Sequence, residues 1–388
     1  MPAFLRIIAL LLGLVLLIVP SLLAGAAQPA AAATSTLPAP KTAAPATSAA
    51  SAALLDVNSG CFLVEVGGDE RRPMASTTKI MTALVVLEHC ALGETVTVPR
   101  EAVGVEGSSI YLFEGEEITV GTLLYALLLS SANDAAVALA CHTAGSVSTF
   151  ADMMNERAAA LGLADTHFTN PHGLFDEAHY TTAKELALIT AAALQNETFA
   201  KIVATPRYSA PQNGTDATRL FLNHNRLLRT YEGAVGVKTG FTKKSGRCLV
   251  SAAEKNGLTL VAVTLNDPND WRDHAALFDW GFAEYEGFTP LLSPLTLPVV
   301  GGTQGTVSLI PGAPFTLTLP TDHAEITVTA ELPRFLFAGV EAGESVGQLV
   351  WRMNGEIIGT VELKTATEVP KARLHRTFFE KLKDILIK

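Results

Sequence analysis

Between Ala53 and Phe282 the hydrophobic period changes twice, and this limits the fold more than any other feature of the chain. The stretch Ala53-Leu-Leu-Asp-Val-Asn-Ser-Gly-Cys-Phe-Leu-Val-Glu-Val reads as two short strands around an Asn-Ser-Gly turn. Helical spacing then takes over in 76–88, where Ile80, Met81, Leu84, Val85 and Leu87 supply a buried face. Helical patterns recur at 120–130, 134–144, 147–161 and 182–194. Strand patterns return at 233–239, 247–253 and 258–266, and a helix over 270–282 closes the region. Strands at both ends with helices between them imply an α+β domain whose antiparallel sheet is completed from distant segments.

After about Gly287 the character changes again. Short β-branched runs at 295–300, 306–310, 315–319 and 324–332 are separated by Gly and Pro. The strand pattern 349–353 meets 357–363 through Asn354-Gly355, a strong two-residue hairpin signal. This reads as a separate small all-β domain at 287–370, after a catalytic-size domain at 53–286.

Both ends of the chain differ from this core. Ile7–Leu23 is nearly unbroken apolar sequence, preceded by Arg6 and followed by Ala24-Gly25-Ala26-Ala27. That order marks 1–26 as a secretory signal peptide or a retained anchor, so the rest of the chain is expected outside the cytoplasm. Residues 27–52, rich in Ala, Pro, Thr and Ser, read as a flexible linker. At the other end, Leu374, Phe378, Leu382 and Ile385 share one helical face of a Lys/Arg-rich segment. Residues 371–388 are therefore expected to form a basic amphipathic helix suited to a membrane surface.

A net charge of −10 argues against nucleic acid as a partner, because phosphate contacts need a basic surface. Cys61, Cys90, Cys141 and Cys248 form an even set that permits disulfides, though buried thiols are the plainer reading. No pair of them sits at metal-ligand spacing, and no cofactor or metal is implied. His167, His172 and His179, with Asp176 and Glu177, fit no standard zinc pattern and read as turn and loop packing.

Chemistry is concentrated in three short motifs. In Ser76-Thr77-Thr78-Lys79 the i, i+3 spacing lets a lysine amine reach a serine hydroxyl and activate it as a nucleophile. The motif alone is weak, since roughly one S-x-x-K arises by chance in a chain this long. Ser131-Ala132-Asn133 offers a second hydroxyl and an amide that can orient both a lysine and a peptide. Lys238-Thr239-Gly240 closes a strand pattern, offers a cation and a hydroxyl to a carboxylate, and allows close backbone approach at glycine.

In this order the three are the signature set of the penicillin-recognising serine enzymes. Their surroundings narrow the choice: Arg72-Pro-Met-Ala-Ser-Thr-Thr-Lys-Ile-Met-Thr-Ala-Leu, Ser108-Ser-Ile-Tyr-Leu, Asn170-Pro-His-Gly-Leu and Gly236-Val-Lys-Thr-Gly-Phe-Thr. With Leu127-Leu-Leu-Ser-Ser-Ala-Asn-Asp-Ala-Ala-Val-Ala-Leu, this sequence resembles the low-molecular-weight D-alanyl-D-alanine carboxypeptidases of peptidase family S11. The resemblance implies a β-lactamase/transpeptidase-like catalytic domain followed by the small β domain and terminal helix.

It further implies that Ser76 is acylated, that Lys79 accepts its proton and that Ser131 relays protons to the leaving amine. Asn133 would position the peptide, and Lys238, Thr239 and Gly240 would hold its terminal carboxylate. The backbone N–H groups of Ser76 and Phe241 would form an oxyanion hole, with Arg272 near the carboxylate site. Stem peptides ending in D-Ala-D-Ala are the implied substrates and β-lactams the implied covalent inhibitors. Ala132 and Phe241 stand where many relatives carry Gly and some carry His, which bears on pocket shape. A class A β-lactamase is the weaker enzymatic rival, because no Glu-x-x-x-Asn pattern follows the second motif. A non-catalytic binder of wall peptides is the rival from outside enzymology.

Overall fold

The computed structural model describes residues 39–212, 217–289, 294–312 and 316–372. The expected signal segment 1–26 and all but the first two residues of the expected terminal helix 371–388 lie outside them. No helix of the described residues is long and apolar enough to cross a membrane.

The N-terminal half folds around a five-stranded antiparallel sheet in the order β2-β1-β9-β8-β7. Its strands are β1 (Ser51–Asp56), β2 (Phe62–Val66), β7 (Ala234–Thr242), β8 (Gly246–Lys255) and β9 (Leu258–Leu265). Two short ladders lie between them in sequence: β3 (Thr95–Thr97) with β4 (Glu117–Thr119), and β5 (Arg207–Pro211) with β6 (Thr218–Leu222). The helices are α1 (Lys79–His89), α2 (Val120–Leu129), α3 (Asn133–Ala144), α4 (Val147–Ala160), α5 (Ala183–Leu194) and α6 (Glu197–Val203). A single turn, α7 (Leu227–Thr230), and the longer α8 (Asp270–Glu284) complete the set.

Period-2 alternation divides the sheet between two cores. Ala53 and Leu55 of β1 face a core shared with α1 to α6, whereas Leu54 faces Leu277, Phe278 and Trp280 of α8. Side-chain caps fix several helix starts: Thr119, Ser146 and Thr182 each accept the N–H three residues on.

The second half builds a six-stranded sheet, β14-β16-β17-β12-β11-β15, with its own core around Leu297, Val307, Leu349, Trp351 and Leu363. Its strands are β11 (Leu295–Val300), β12 (Thr306–Pro311), β14 (Ile326–Glu331), β15 (Leu336–Phe337), β16 (Ser345–Met353) and β17 (Glu356–Thr365). The β16–β17 hairpin turns at Asn354 and Gly355, both at positive φ, as a two-residue turn requires. A lesser ladder joins β10 (Tyr285–Phe288) to β13 (Leu317–Pro320).

Two sequence expectations need correction. The linker reading of 27–52 extends too far, because the chain is pinned to α8 from Lys41 onward. Lys41 and Thr42 donate their backbone N–H groups to Glu284, and the Ser48 hydroxyl reaches Asp267 and Asp273. Backbone donors satisfied by buried carboxylates order a segment that has few apolar side chains of its own. Lys371, the expected first residue of the terminal helix, pairs as a β-bridge with Gly302.

Candidate active site

Ser76 lies in a single 3-10 turn, Ala75–Thr78, immediately before α1, where the sequence pattern had implied continuous helix. The turn is clamped from below. His179 Nδ1 accepts the Thr169 N–H at 3.0 Å, so its Nε2 carries the proton and donates to Thr78 Oγ1 at 2.8 Å. Thr78 Oγ1 in turn donates to Ala75 O at 2.8 Å. Gly173 makes the clamp possible: its φ is +88°, and a Cβ there would stand 1.9 Å from Ala75 O. From the other side, a Cβ on Gly240 would stand 3.0 Å from Ser76 N, so the glycine of the third motif brings β7 onto the turn.

Lys79 opens α1 and is fully buried. Its Nζ lies 3.0 Å from Ser76 Oγ, 2.7 Å from Asn133 Oδ1 and 2.6 Å from His172 O. Asn133 Nδ2 donates to Glu106 O, which fixes the amide orientation and makes Oδ1 an acceptor only. Burial first, and the charge of Lys238 second, hold the Lys79 amine well below its ordinary value, against an opposing pull from Asp134. A neutral amine has two N–H bonds and one lone pair. In that form the two carbonyl oxygens can take the N–H bonds, which frees the lone pair for the Ser76 hydroxyl.

Ser131 is buried in the turn between α2 and α3 at a φ of 60°, a left-handed conformation uncommon away from glycine. Asn133 follows as the first residue of α3. Next to it, the Asp134 carboxylate accepts Ser109 Oγ at 2.6 Å, Ile110 N at 3.0 Å and Leu112 N at 3.1 Å, holding the 108–112 loop beside the cluster. Residue pattern alone did not single out Asp134 or the His172 carbonyl. One acts through loop amides and the other through its backbone.

Lys238 is buried on β7, donates to Thr239 O at 2.8 Å and is lowered by burial to about 7. Strand β7 forms the sheet edge, so Thr239, Gly240 and Phe241 lie on backbone paired on one side only, with β8. Phe241 is 66% exposed.

Arg272 lies in the first turn of α8. Its guanidinium bonds Asp273 Oδ1 at 3.1 Å, and its side chain is 73% exposed. Arg247 also lies beside the third motif: it pairs across the strands with Phe241 and grips Asp270 through Nε at 3.0 Å and Nη2 at 2.9 Å. A strand arginine carries no periodic signal, so residue pattern alone does not single it out. His167, His172 and His179 are built into turns; burial lowers His172 to about 3 and His179 to about 4, leaving both neutral.

The family described as D-alanyl-D-alanine carboxypeptidase, Peptidase S11, matches residues 39–269. The chain belongs to that family. A second match, to the C-terminal domain of penicillin-binding protein 5, covers residues 293–371. Among curated relatives of this carboxypeptidase family, DacF of Bacillus subtilis is 31% identical over 84% of this chain and 86% of its own length. DacA of Haemophilus influenzae is 31% identical over 86% and 87%. The crystal structure of penicillin binding protein 5 from H. influenzae superposes with a TM-score of 0.70 at 29% identity, covering 85% of this chain and 100% of that one. The Streptomyces K15 DD-transpeptidase superposes at 0.59 with 35% identity, covering 62% of this chain and 100% of its own. The K15 match therefore has the extent of the N-terminal half alone.

Proposed function

We propose that this chain is a serine-type D-Ala-D-Ala carboxypeptidase acting on peptidoglycan stem peptides through an acyl-enzyme on Ser76. As Ser76 Oγ attacks the carbonyl carbon of the penultimate D-alanine, its proton passes to the Lys79 amine. The peptide C–N bond then breaks, and the departing amine takes a proton relayed by Ser131. Water attacks the resulting ester, frees the shortened peptide and restores the serine. Asn133 orients the peptide, and Lys238 with Thr239 receives the terminal carboxylate. The N–H groups of Ser76 and Phe241 hold the developing oxyanion, commonly a large catalytic contribution. The open edge of β7 suits an extended peptide added as a further strand.

The observation that carries this reading is Lys79 Nζ held by Asn133 Oδ1 at 2.7 Å and His172 O at 2.6 Å, with Ser76 Oγ at 3.0 Å. The N-terminal apolar run and the basic segment after Ala372 support an exported enzyme held at the outer face of the cell membrane. A fluorescent penicillin tests the chemistry. Covalent labelling of wild type, lost in Ser76→Ala, together with D-alanine release from a D-Ala-D-Ala pentapeptide, is expected. Labelling that survives in folded Ser76→Ala, or folded wild type that neither labels nor releases D-alanine, overturns it. Rapid turnover of the penicillin without peptide hydrolysis would instead mark a β-lactamase.

A further inference from the structure

Far from Ser76, three segments bring together a thiol, a carboxylate and an imidazole. Cys90 caps the C-terminus of α1, Glu94 follows in the loop before β3, and His142 sits in the last turn of α3. Their donor atoms all lie within 4.8 Å of one another, and His142 Nε2 is 3.1 Å from Glu94 Oε2. The sequence conceals the group, because the imidazole that completes it is contributed by a different helix.

The geometry points to a divalent metal site of the zinc class, formed by Cys90 Sγ, Glu94 Oε2 and His142 Nε2 with a fourth position open to water. Sulfur, nitrogen and oxygen donors are the mixed set this class prefers, and tetrahedral bond lengths of about 2.0–2.3 Å call for donors about 3.2–3.7 Å apart. The His–Glu pair, at 3.1 Å, falls just short of that spacing, and the thiol, within 4.8 Å of both, closes it by side-chain rotation.

Two further observations favour a cation here. The C-termini of α1 and α3 both end at the cluster, bringing the negative ends of two helix dipoles toward it. The neighbours also orient the ligands. The Ala91 N–H occupies Glu94 Oε1, turning Oε2 toward His142. Thr143 Oγ1 lies 3.3 Å from Cys90 Sγ, and its proton, directed at Leu139 O in this structure, can turn to a thiolate.

Binding releases the Cys90 thiol proton to solvent as the metal–sulfur bond forms. The ion would tie the far ends of the two helices whose first residues are Lys79 and Asn133. Helix α1 alone spans about 16 Å, so the ion stands away from the reacting atoms and acts on stability.

Cobalt(II) titration of the reduced full-length protein tests the site. Wild type should bind one ion per chain, with a thiolate-to-cobalt band in the near ultraviolet and visible d–d bands of tetrahedral intensity. Both should be lost in Cys90→Ser and in His142→Asn, while each variant still labels with penicillin at the wild-type rate. Zinc should raise the Tm of wild type and leave that of the two variants unchanged. Folded wild type without the thiolate band, or a band that persists in either variant through Cys141 or another thiol, overturns the assignment.

Discussion

Asn133 Oδ1 lies 2.7 Å from the buried Lys79 Nζ, so a neutral amide at the start of α3 sets the direction of the amine at the start of α1. The neutrality of that partner matters as much as its position. Asn133→Asp would place an anion against the amine, raise its pKa and keep it protonated at neutral pH. Penicillin acylation is expected to fall about 10²-fold at pH 7, with the deficit shrinking as pH rises. Asn133→Ala should also slow acylation, but by a factor that varies little with pH. A pH-independent loss in Asn133→Asp would show that charge on the amine is not what the amide controls.

The two buried lysines impose opposite pH requirements. Lys79 must be neutral to accept the Ser76 proton, so acylation rises with pH through its lowered pKa. Lys238 must be charged to hold a carboxylate, and with a pKa of about 7 it loses that charge as pH increases. A bell-shaped acylation profile is therefore expected. Lys238→Met should abolish the falling limb and move the rising limb to higher pH, because the like charge that depresses Lys79 is gone. Stopped-flow labelling between pH 5 and 10 reads both effects, and an unmoved rising limb would contradict the coupling.

Much of this arrangement is legible from residue pattern. The motifs named Ser76, Lys79 and Asn133, and the structure places Ser76 and Asn133 each within hydrogen-bonding reach of Lys79; period-2 and helical spacing located the main strands and all six long helices. What escaped is held by groups without periodicity. The 39–50 segment looks like linker because its order comes from Glu284, Asp267 and Asp273 rather than from apolar side chains. The β5–β6 ladder went unread because its two runs are only five residues each and interrupted by polar side chains, even though Asn213-Gly214 lies between them.

Gly173 offers a sharper test of the turn that presents Ser76. Ala at this position meets both an unfavourable φ and the Ala75 carbonyl, 1.9 Å from the added Cβ. Gly162 has a φ of +78° and open space around its Cβ, so Gly162→Ala isolates the backbone penalty, about 1 kcal/mol. Gly173→Ala should cost about 2–4 kcal/mol in urea unfolding and slow acylation as well. Equal losses in the two variants would show that the close approach to Ala75 carries no weight.

His274 makes stability depend on acid. It is completely buried, with Nε2 2.9 Å from Thr264 Oγ1 and Nδ1 2.9 Å from Ser251 Oγ, and burial lowers it to about 3. Below pH 6.5 the unfolded chain gains a proton at this residue that the folded chain refuses. Stability contributed by the neutral ring is complete above the unfolded value and is lost as pH falls toward about 3, by about 1.4 kcal/mol per pH unit. His172 and His179 act in the same direction, whereas Asp56, raised by burial, opposes them at the acid end. His274→Gln retains a donor and an acceptor without a titrating group, so its unfolding free energy should fall less steeply between pH 6.5 and 4.5, by about one proton. Urea titrations at these two pH values measure the difference, and parallel slopes in wild type and variant would remove His274 as the source.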